Sequence, residues 1–154
     1  MIYLGADHGG FVLKENIKQF LKEHDLKYED LGNTILDMDD DYPDYAFAVG
    51  ERVGKEDAPS KKWKDRAKGI LFCRSSGGMV IAANKVKNIR AVAVYDEKGA
   101  RHAREHNDAN IIALSGDWIS DEAAKKIIMV WLTTEFSREK RHIRRLEKIR
   151  KYEN

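Results

Sequence analysis

Short apolar runs alternate along this chain with longer segments whose apolar residues recur at helical spacing, and this alternation restricts the possible folds. After the first run, for example, Leu13, Ile17 and Leu21 fall on one helical face. Strands that alternate with helices of this length form βαβ units and a parallel sheet. We therefore predict an α/β fold with a five-stranded parallel sheet. The predicted strands are residues 2–6, 26–31, 70–73, 90–95 and 110–114.

Helix caps and turn residues set several boundaries within this pattern. Pro43 suits the first turn of a helix that runs to about Val53. Ser120 is a good N-cap for a later helix, because its hydroxyl can accept a hydrogen bond from a free backbone N–H. Residues 55–66 are polar and contain Pro59, so we predict a surface loop there.

The end of the chain predicts one further helix, over about residues 137–152, with Ser137 as its cap. Three apolar residues, Ile143, Leu146 and Ile149, recur along it at helical spacing. This stripe is too narrow for a full core face and too regular for a free tail. We therefore expect the helix to pack on a neighbouring subunit.

The length of 154 residues is typical of one domain, and we predict a single domain over residues 1–154. The 28 basic and 26 acidic side chains leave a net charge of +2, which gives no general reason to expect a nucleic-acid partner. The single cysteine excludes an intrachain disulfide and fits a reducing compartment. The start lacks a signal-peptide pattern, and no apolar run approaches the ~20 residues of a membrane span. We therefore expect a cytoplasmic protein with no membrane partner.

In a parallel α/β sheet, ligands bind beyond the carboxyl ends of the strands. The most informative loop at such a position is residues 73–78, between a predicted buried strand and a predicted helix. Its free backbone N–H groups favour an anion, and Gly77 and Gly78 allow positive φ and close backbone approach. Cys73 at this position can have a lowered pKa and be partly ionised. The alternative is a buried cysteine beside an ordinary turn, and both remain open.

A second polar turn follows the first predicted strand. Asp7 and His8, which precede Gly9 and Gly10, place a carboxylate and an imidazole where they could hold a hydroxyl and a phosphate. The alternative is a polar turn in which Asp7 caps the next helix. These residues alone do not distinguish the two interpretations.

Two groups of residues resemble metal sites without completing one. His102 and His106 lie four residues apart on a predicted helix, but no HExxH pattern or further ligand accompanies them. The acidic stretch 37–41 lacks the glycine and glutamate of an EF-hand, so we expect a solvated acidic loop. His106 could instead act as a general acid at its helix end, and a solvent-facing helix end is the alternative.

The predicted last helix carries a basic face. Arg141 and Arg145 lie one turn apart and could bind a phosphate through charge-assisted hydrogen bonds. A solvated basic surface is the alternative. Nucleic-acid binding is a further possibility, which Glu139, Glu147 and the lack of interleaved aromatic residues weaken.

Five segments spread over nearly the whole chain stand out together: GADHGG at 5–10, DYP at 41–43, IAANK at 81–85, REHND at 104–108 and RHIRR at 141–145. In this order and spacing they resemble the ribose-5-phosphate isomerase B family, which also includes galactose-6-phosphate isomerase subunits. The resemblance implies a Rossmann-like three-layer sandwich with an extra C-terminal helix. It also implies a homodimer or tetramer whose active sites are shared between subunits.

The resemblance further implies conversion of an aldose phosphate, ribose 5-phosphate, to its ketose through a cis-enediolate, with no cofactor and no metal. Cys73 would move a proton between C1 and C2, Ser75 would assist proton transfer between the oxygens, and His106 would help to open the furanose ring. Asp7 would hold substrate hydroxyls. The substrate-binding residues that it implies are His8, Tyr42, Arg74, Ser76, Gly77, Gly78, Asn107, Arg141 and Arg145.

Three residues depart from the family's pattern. Many members have glycines where this chain has Arg74 and Ser76, and relatives often have a phosphate-contacting arginine at the position of Asp117. An anionic side chain near a phosphate is unfavourable. A hexose 6-phosphate of the allose or galactose type therefore remains an alternative substrate, and a non-catalytic sugar-phosphate-binding protein an alternative function.

Overall fold

The computed structural model describes residues 1–153 and contains a sheet of five parallel strands, which confirms the predicted α/β class. The strands are β1 (Ile2–Ala6), β2 (Tyr28–Asp30), β3 (Lys68–Cys73), β4 (Ala91–Ala93) and β5 (Ile111–Ser115). They lie in the order β2-β1-β3-β5-β4. The last residue of the predicted domain, Asn154, lies outside the described residues.

Helices cover both faces of the sheet and give the expected three layers. The helices are α1 (Phe11–Glu23), α2 (Tyr42–Glu56), α3 (Gly77–Ala83), α4 (Glu97–Asn107), α5 (Asp121–Thr133) and α6 (Lys140–Tyr152). One face packs against α1, α4 and α5, and the other against α2 and α3. The extra C-terminal helix, α6, contacts α4.

The central strand, β3, is buried along its whole length. Ile70 and Phe72 pack into the layer of α1, α4 and α5, whereas Leu71 and Cys73 pack towards α2 and α3. Because side chains alternate between faces and both faces are covered, the strand is a continuous apolar run. The same alternation directs the Cys73 side chain to the α2 and α3 face.

The predicted helix caps are confirmed at one position and wrong at another. The Ser120 hydroxyl accepts a hydrogen bond from the Ala123 N–H at 3.2 Å and caps α5. Ser137 does not cap α6, which begins at Lys140 with Glu139 in the cap position. The Ser137 Oγ lies 2.8 Å from His142 Nδ1, so this hydroxyl bonds a side chain one turn into the helix.

The predicted surface loop at residues 55–66 is wrong in part. Trp63 and Arg66 are buried, with 1% and 4% of their surface exposed. The Arg66 guanidinium donates to the Asp57 carboxylate at 2.7 Å and to the Asp108 carboxylate at 2.8 Å. A guanidinium paired with two carboxylates can be buried, so polar composition alone did not indicate exposure here.

A buried lysine lies beside this cluster. Lys68, the first residue of β3, is 3% exposed, and its Nζ donates to the Trp63 carbonyl oxygen at 2.6 Å. The Lys68 Nζ and the Arg104 guanidinium both lie over the Trp63 indole, at 4.1 and 3.5 Å from the ring centroid. Burial, and then the charges of Arg104 and Arg66, lower the pKa of Lys68 to about 8.

Because the pKa of Lys68 is lowered, we expect the free energy of unfolding to depend on pH. Below pH 8 the amine is charged in both the folded and unfolded states, so folding bears the full cost of burying the charge. Between pH 8 and its ordinary pKa the unfolded chain binds more protons, so the free energy of unfolding rises with pH. The measurement is urea denaturation at fixed protein concentration. Between pH 7 and 10 the free energy of unfolding of wild type should rise by about 2–3 kcal/mol relative to that of Lys68→Met. A constant difference between the two proteins would show that Lys68 does not titrate in this range.

Candidate active site

Three loops meet at the carboxyl edge of the sheet, because β1, β3 and β5 are parallel neighbours. The Gly116 N–H, after β5, donates to the Cys73 carbonyl at 2.8 Å, and the Asp7 N–H, after β1, lies 3.4 Å from the Phe72 carbonyl oxygen. Gly9 lies so close to the loop after β3 that a Cβ there would be 2.9 Å from the Arg74 backbone nitrogen. The fold therefore brings the predicted residues Asp7 and Cys73 to one edge.

Residues 73–78, here called the Cys73 loop, have a backbone conformation that differs from the expected one. The residue with positive φ is Ser76, at φ 64° and ψ −21°, and no described glycine has positive φ. The prediction that Gly77 and Gly78 supply this conformation is therefore wrong. Gly78 instead makes room for an aromatic ring, since a Cβ there would lie 2.8 Å from Tyr42 Cζ.

The Cys73 side chain is buried and faces backbone N–H groups. Its Sγ accepts a hydrogen bond from the Ser76 N–H at 3.0 Å. Burial and then the Asp7 carboxylate raise the pKa of the thiol, and the backbone N–H groups of Ser75 and Ser76 only partly offset this. The expected lowering of the Cys73 pKa is therefore wrong for the free protein, because desolvation outweighs the amides.

Asp7 is also buried at this edge, at 8% exposure. One of its carboxylate oxygens accepts a hydrogen bond from the Gly10 N–H at 3.1 Å. Burial raises the pKa of Asp7 above its ordinary range, and the Gly10 N–H and His8 oppose that rise. Asp7 thus closes the turn before α1 while its charge acts on Cys73.

A residue that the sequence did not single out holds His8. One carboxylate oxygen of Asp40 accepts a hydrogen bond from the His8 backbone N–H at 3.0 Å. The same oxygen lies 2.7 Å from His8 Nδ1. The Asp40 side chain is 3% exposed and also accepts from the Asn33 amide at 2.9 Å. The expected solvated acidic loop is therefore wrong at Asp40. This contact directs the other ring nitrogen of His8 away from Asp40.

The two charged departures from the family's pattern lie together. An Arg74 Nη atom is 3.6 Å from an Asp117 carboxylate oxygen, and the two side chains are 59% and 46% exposed. Exposed pairs of this length contribute little to stability. Ser75, next to Arg74, is exposed as well. The outer side of the Cys73 loop is therefore polar and open, whereas its Cys73 and Ser76 side chains are buried.

Two aromatic residues that the sequence did not indicate flank the same loop. The Tyr95 hydroxyl lies 3.0 Å from Ser76 Oγ and donates to the Ser75 carbonyl at 3.2 Å. The Tyr95 ring packs against Trp118 at a tilt, with 5.8 Å between ring centroids. Tyr95 follows β4 and Trp118 follows β5, so long-range contacts bring them to the loop.

The other predicted residues form a second cluster. The His106 ring lies between those of His102 and His142, at 4.5 and 4.4 Å between centroids. His106 also lines a cleft of about 640 Å³ between α4 and the segment before α6. Arg141 and Arg145 are exposed on α6, and Arg141 pairs with Glu139 at 2.8 Å. Desolvation, followed by the charge of His106, lowers the pKa of His142.

The two clusters lie at opposite edges of the sheet. β4 and β5 are adjacent and parallel, so α4 must run back from the carboxyl end of β4 to the amino end of β5. His106 and Asn107 end that helix, and an 11-residue helix spans roughly 16 Å. Arg90, just before β4, donates to the Asn107 carbonyl at 3.2 Å and confirms this placement. One chain therefore does not bring Cys73 and His106 together.

Comparison with known proteins identifies the family to which this arrangement belongs. The sequence model described as Ribose/Galactose Isomerase matches residues 2–149. The chain belongs to the ribose/galactose isomerase family. One similar member is a probable ribose-5-phosphate isomerase B of Mycoplasma genitalium, which is 40% identical over 99% of this chain and 95% of that protein. Another is a putative sugar phosphate isomerase of Bacillus subtilis, which is 41% identical over 99% of this chain and 96% of that protein.

Solved structures of the isomerase family agree with the fold. Ribose-5-phosphate isomerase B from Mycoplasma genitalium, with bound ribulose-5-phosphate, superposes with a TM-score of 0.89 at 39% identity, over 99% of this chain and 95% of that one. The isomerase B of Clostridium thermocellum superposes at 0.88, with 38% identity over 99% and 96%. The Rossmann-like three-layer expectation is confirmed.

The apolar stripe of α6 is not part of the hydrophobic core and lines a surface groove. Ile143, Leu146 and Ile149 line a groove of about 440 Å³ against residues of the same chain that include Pro59 and Phe136. Ile143 and Ile149 are 38% and 52% exposed. Packing of this helix on a partner subunit of the isomerase stays a prediction.

The described residues 1–153 of this isomerase-family chain contain neither a metal-binding cluster nor a membrane-spanning helix. Within that range, no group of three or more His, Cys, Asp or Glu side chains is arranged to hold a metal ion. The histidine rings of α4 and α6 thus contact each other without forming such a group. No helix in the same range is long and apolar enough to cross a membrane.

Proposed function

We propose that this chain converts ribose 5-phosphate to ribulose 5-phosphate through a cis-enediolate. The observation that carries the proposal is the position of Cys73, in a member of the isomerase family, with backbone N–H groups beside its sulfur. As a thiolate it would remove the proton from C2 of the open-chain aldose and return it to C1. The amides would stabilise the negative charge that develops on oxygen.

The neighbouring side chains have positions that suit the remaining steps. The exposed Ser75 hydroxyl would transfer the proton from O2 to O1 of the enediolate, which completes the conversion of aldose to ketose. Asp7 would accept hydrogen bonds from substrate hydroxyls, and Tyr42 would line the pocket beside Gly78. Ser76 would contribute through its backbone N–H, since its side chain is buried against the loop.

The active site would be shared between two copies of the chain. Cys73 and His106 lie at opposite edges of the sheet in one chain, so a site that contains both needs a partner. In a two-fold dimer, each Cys73 edge would face the partner's α4 and α6, and two equal sites would form. His106 from the partner would protonate the ring oxygen as the furanose opens. Pairs of such dimers would give a tetramer.

Phosphate recognition would come from both chains. His8, oriented by Asp40, would supply a ring N–H from the carboxyl edge. Arg141 and Arg145 of the partner would supply guanidinium groups from α6, where they lie one turn apart and exposed. Asn107 is exposed at the end of α4 and would contact the sugar. Arg74 would add a positive charge at the Cys73 loop, reduced by the nearby Asp117.

Loss of Arg141 or Arg145 should mainly weaken substrate binding. Each alanine variant removes a charge-assisted hydrogen bond worth about 1.5–3 kcal/mol, so KM should rise roughly tenfold or more with a smaller change in kcat. Arg150→Ala, which removes an arginine nine residues from Arg141 and thus from the opposite side of α6, is the matched control and should leave KM unchanged. Equal KM values for all three variants and wild type would show that α6 is a solvated basic surface that does not bind phosphate.

A hexose 6-phosphate isomerase is the second candidate, because the family description also covers galactose isomerases. A panel of aldose phosphates, with the ketose product measured for each, separates the candidates. We expect the highest kcat/KM with ribose 5-phosphate. A higher value with allose or galactose 6-phosphate would select the second candidate. Binding of these sugars without product would indicate a non-catalytic sugar-phosphate-binding protein.

The chemistry also suggests a compartment. Cys73 can move a proton only as a free thiol or thiolate, and oxidation to a sulfenic acid would remove that ability. A reducing compartment keeps cysteine in the reduced form. We therefore propose the cytoplasm as the place where the protein acts.

A further inference from the structure

The first three carbonyl groups of the Cys73 loop each accept a hydrogen bond from a neighbouring loop or strand end. The Cys73 carbonyl accepts from the Gly116 N–H at 2.8 Å, and the Arg74 carbonyl from the Ser115 hydroxyl. The Ser75 carbonyl accepts from the Tyr95 hydroxyl at 3.2 Å. Three consecutive carbonyls are therefore fixed by residues after β4 and at the end of β5.

Fixing a carbonyl also fixes the next N–H. In a trans peptide the C=O of one residue and the N–H of the next point in opposite directions in one plane. The anchors on the carbonyls of residues 73–75 thus orient the N–H groups of residues 74–76 towards the opposite side. The Ser76 N–H does point to Cys73 Sγ, at 3.0 Å. Ser76 keeps a left-handed conformation that a non-glycine residue adopts at a cost, so the loop needs such anchors.

The two hydroxyl anchors are themselves oriented. The Ser115 Oγ accepts from the Trp118 N–H at 3.0 Å, which leaves its single proton for the Arg74 carbonyl. The Tyr95 ring packs against the Trp118 ring at a tilt, and its hydroxyl lies between Ser76 Oγ and the Ser75 carbonyl. Ser115 is fully buried, whereas Tyr95 is 48% exposed.

We infer that Tyr95 and Ser115 are positioning residues that aim the backbone N–H groups of the Cys73 loop at the thiolate and at the reacting oxygens. The inference deepens the proposed function and relies on it for the role of the reacting oxygens. Neither hydroxyl needs to touch the substrate. Each carbonyl keeps one other donor, the Asp117 N–H at 3.3 Å for Arg74 and the Ser76 hydroxyl for Ser75. With one anchor fewer, the peptide groups are held less firmly, and the N–H groups stabilise both the thiolate and the enediolate less well.

The test combines two readouts on Tyr95→Phe and Ser115→Ala. The first is the pH dependence of Cys73 alkylation by iodoacetamide, measured without substrate by mass spectrometry. Because the chain has a single cysteine, the alkylation reports on Cys73 alone. Its midpoint should move up by about half a pH unit or more in each variant. The second is steady-state kinetics with ribose 5-phosphate, in which kcat should fall about tenfold or more and KM should change less than about twofold.

Matched controls are Tyr152→Phe, at a side chain that is 95% exposed, and Ser60→Ala, at an exposed serine, and neither should change either readout. If Ser115→Ala does not fold, Tyr95→Phe at its half-exposed position still gives the test. An unchanged alkylation midpoint in the folded variants would overturn the inference, whatever happens to kcat. A shifted midpoint in a protein that does not act on ribose 5-phosphate would support the loop's anchoring while contradicting the proposed function.

Discussion

Replacement of Cys73 by alanine should lower kcat by several orders of magnitude with a much smaller change in substrate affinity. The Cys73 thiolate is the group proposed to take the proton from C2, and a methyl group cannot replace it. The side chain is buried at the end of β3, so the small change of volume should leave the fold intact. Rates are measured from ribulose 5-phosphate formation, and affinity from binding of ribose 5-phosphate to the inactive variant.

Two companion measurements sharpen this test. Cys73→Ser keeps the size of the side chain but has a far less acidic group, so it should be nearly as inactive as Cys73→Ala. Because burial and Asp7 raise the pKa of Cys73, kcat/KM of wild type should increase with pH through the alkaline range as the thiolate fraction grows. Near-normal turnover in Cys73→Ala would remove Cys73 from the mechanism, and a carboxylate would have to be the base.

Mixing two inactive proteins, Cys73→Ala and His106→Ala, should restore activity. In a mixed dimer one of the two shared sites combines the intact Cys73 of one chain with the intact His106 of the other. Random mixing should give about one quarter of wild-type activity, because about half of the dimers are mixed and each has one complete site. The two proteins are coexpressed with different tags, and the mixed dimer purified through both tags should have about half of wild-type activity, since one of its two sites is complete.

The control for this experiment pairs Cys73→Ala with Ser75→Ala. Both side chains belong to the same loop, so no mixed dimer would contain an intact site and no activity should return. A fully active monomer in sedimentation at working concentration would contradict a shared site. A mixed Cys73→Ala and His106→Ala dimer without activity would contradict it as well, and would remove His106 from the site that contains Cys73.

Local patterns predicted most of the fold. The apolar runs of β1, β3 and β5 and the helical spacing of α1 and α5 depend on burial and on residues near in sequence. The cap at Ser120 could also be predicted from the sequence, because the capping hydroxyl and its N–H partner are three residues apart. Ser137 failed as a cap because a more distant group, the His142 ring, bonds its hydroxyl.

The candidate site was only partly predictable, because its supporting contacts join distant parts of the chain. Asp40 reaches His8 across 32 positions, and Tyr95 reaches Ser75 across 20. Nothing near Asp40 in the sequence distinguishes it from its acidic neighbours. The direction of the Cys73 pKa shift was likewise hidden, since it depends on burial and on Asp7, which only the fold brings close.

The most direct test of the account is the reaction of ribose 5-phosphate with the purified protein in D₂O, followed by proton NMR. Isomerisation through an enediolate passes the C2 proton to a thiol that can exchange with solvent. We expect ribulose 5-phosphate in which at least part of the product carries deuterium at C1. Absence of ribulose 5-phosphate, or a product that retains the original hydrogen completely, would contradict it.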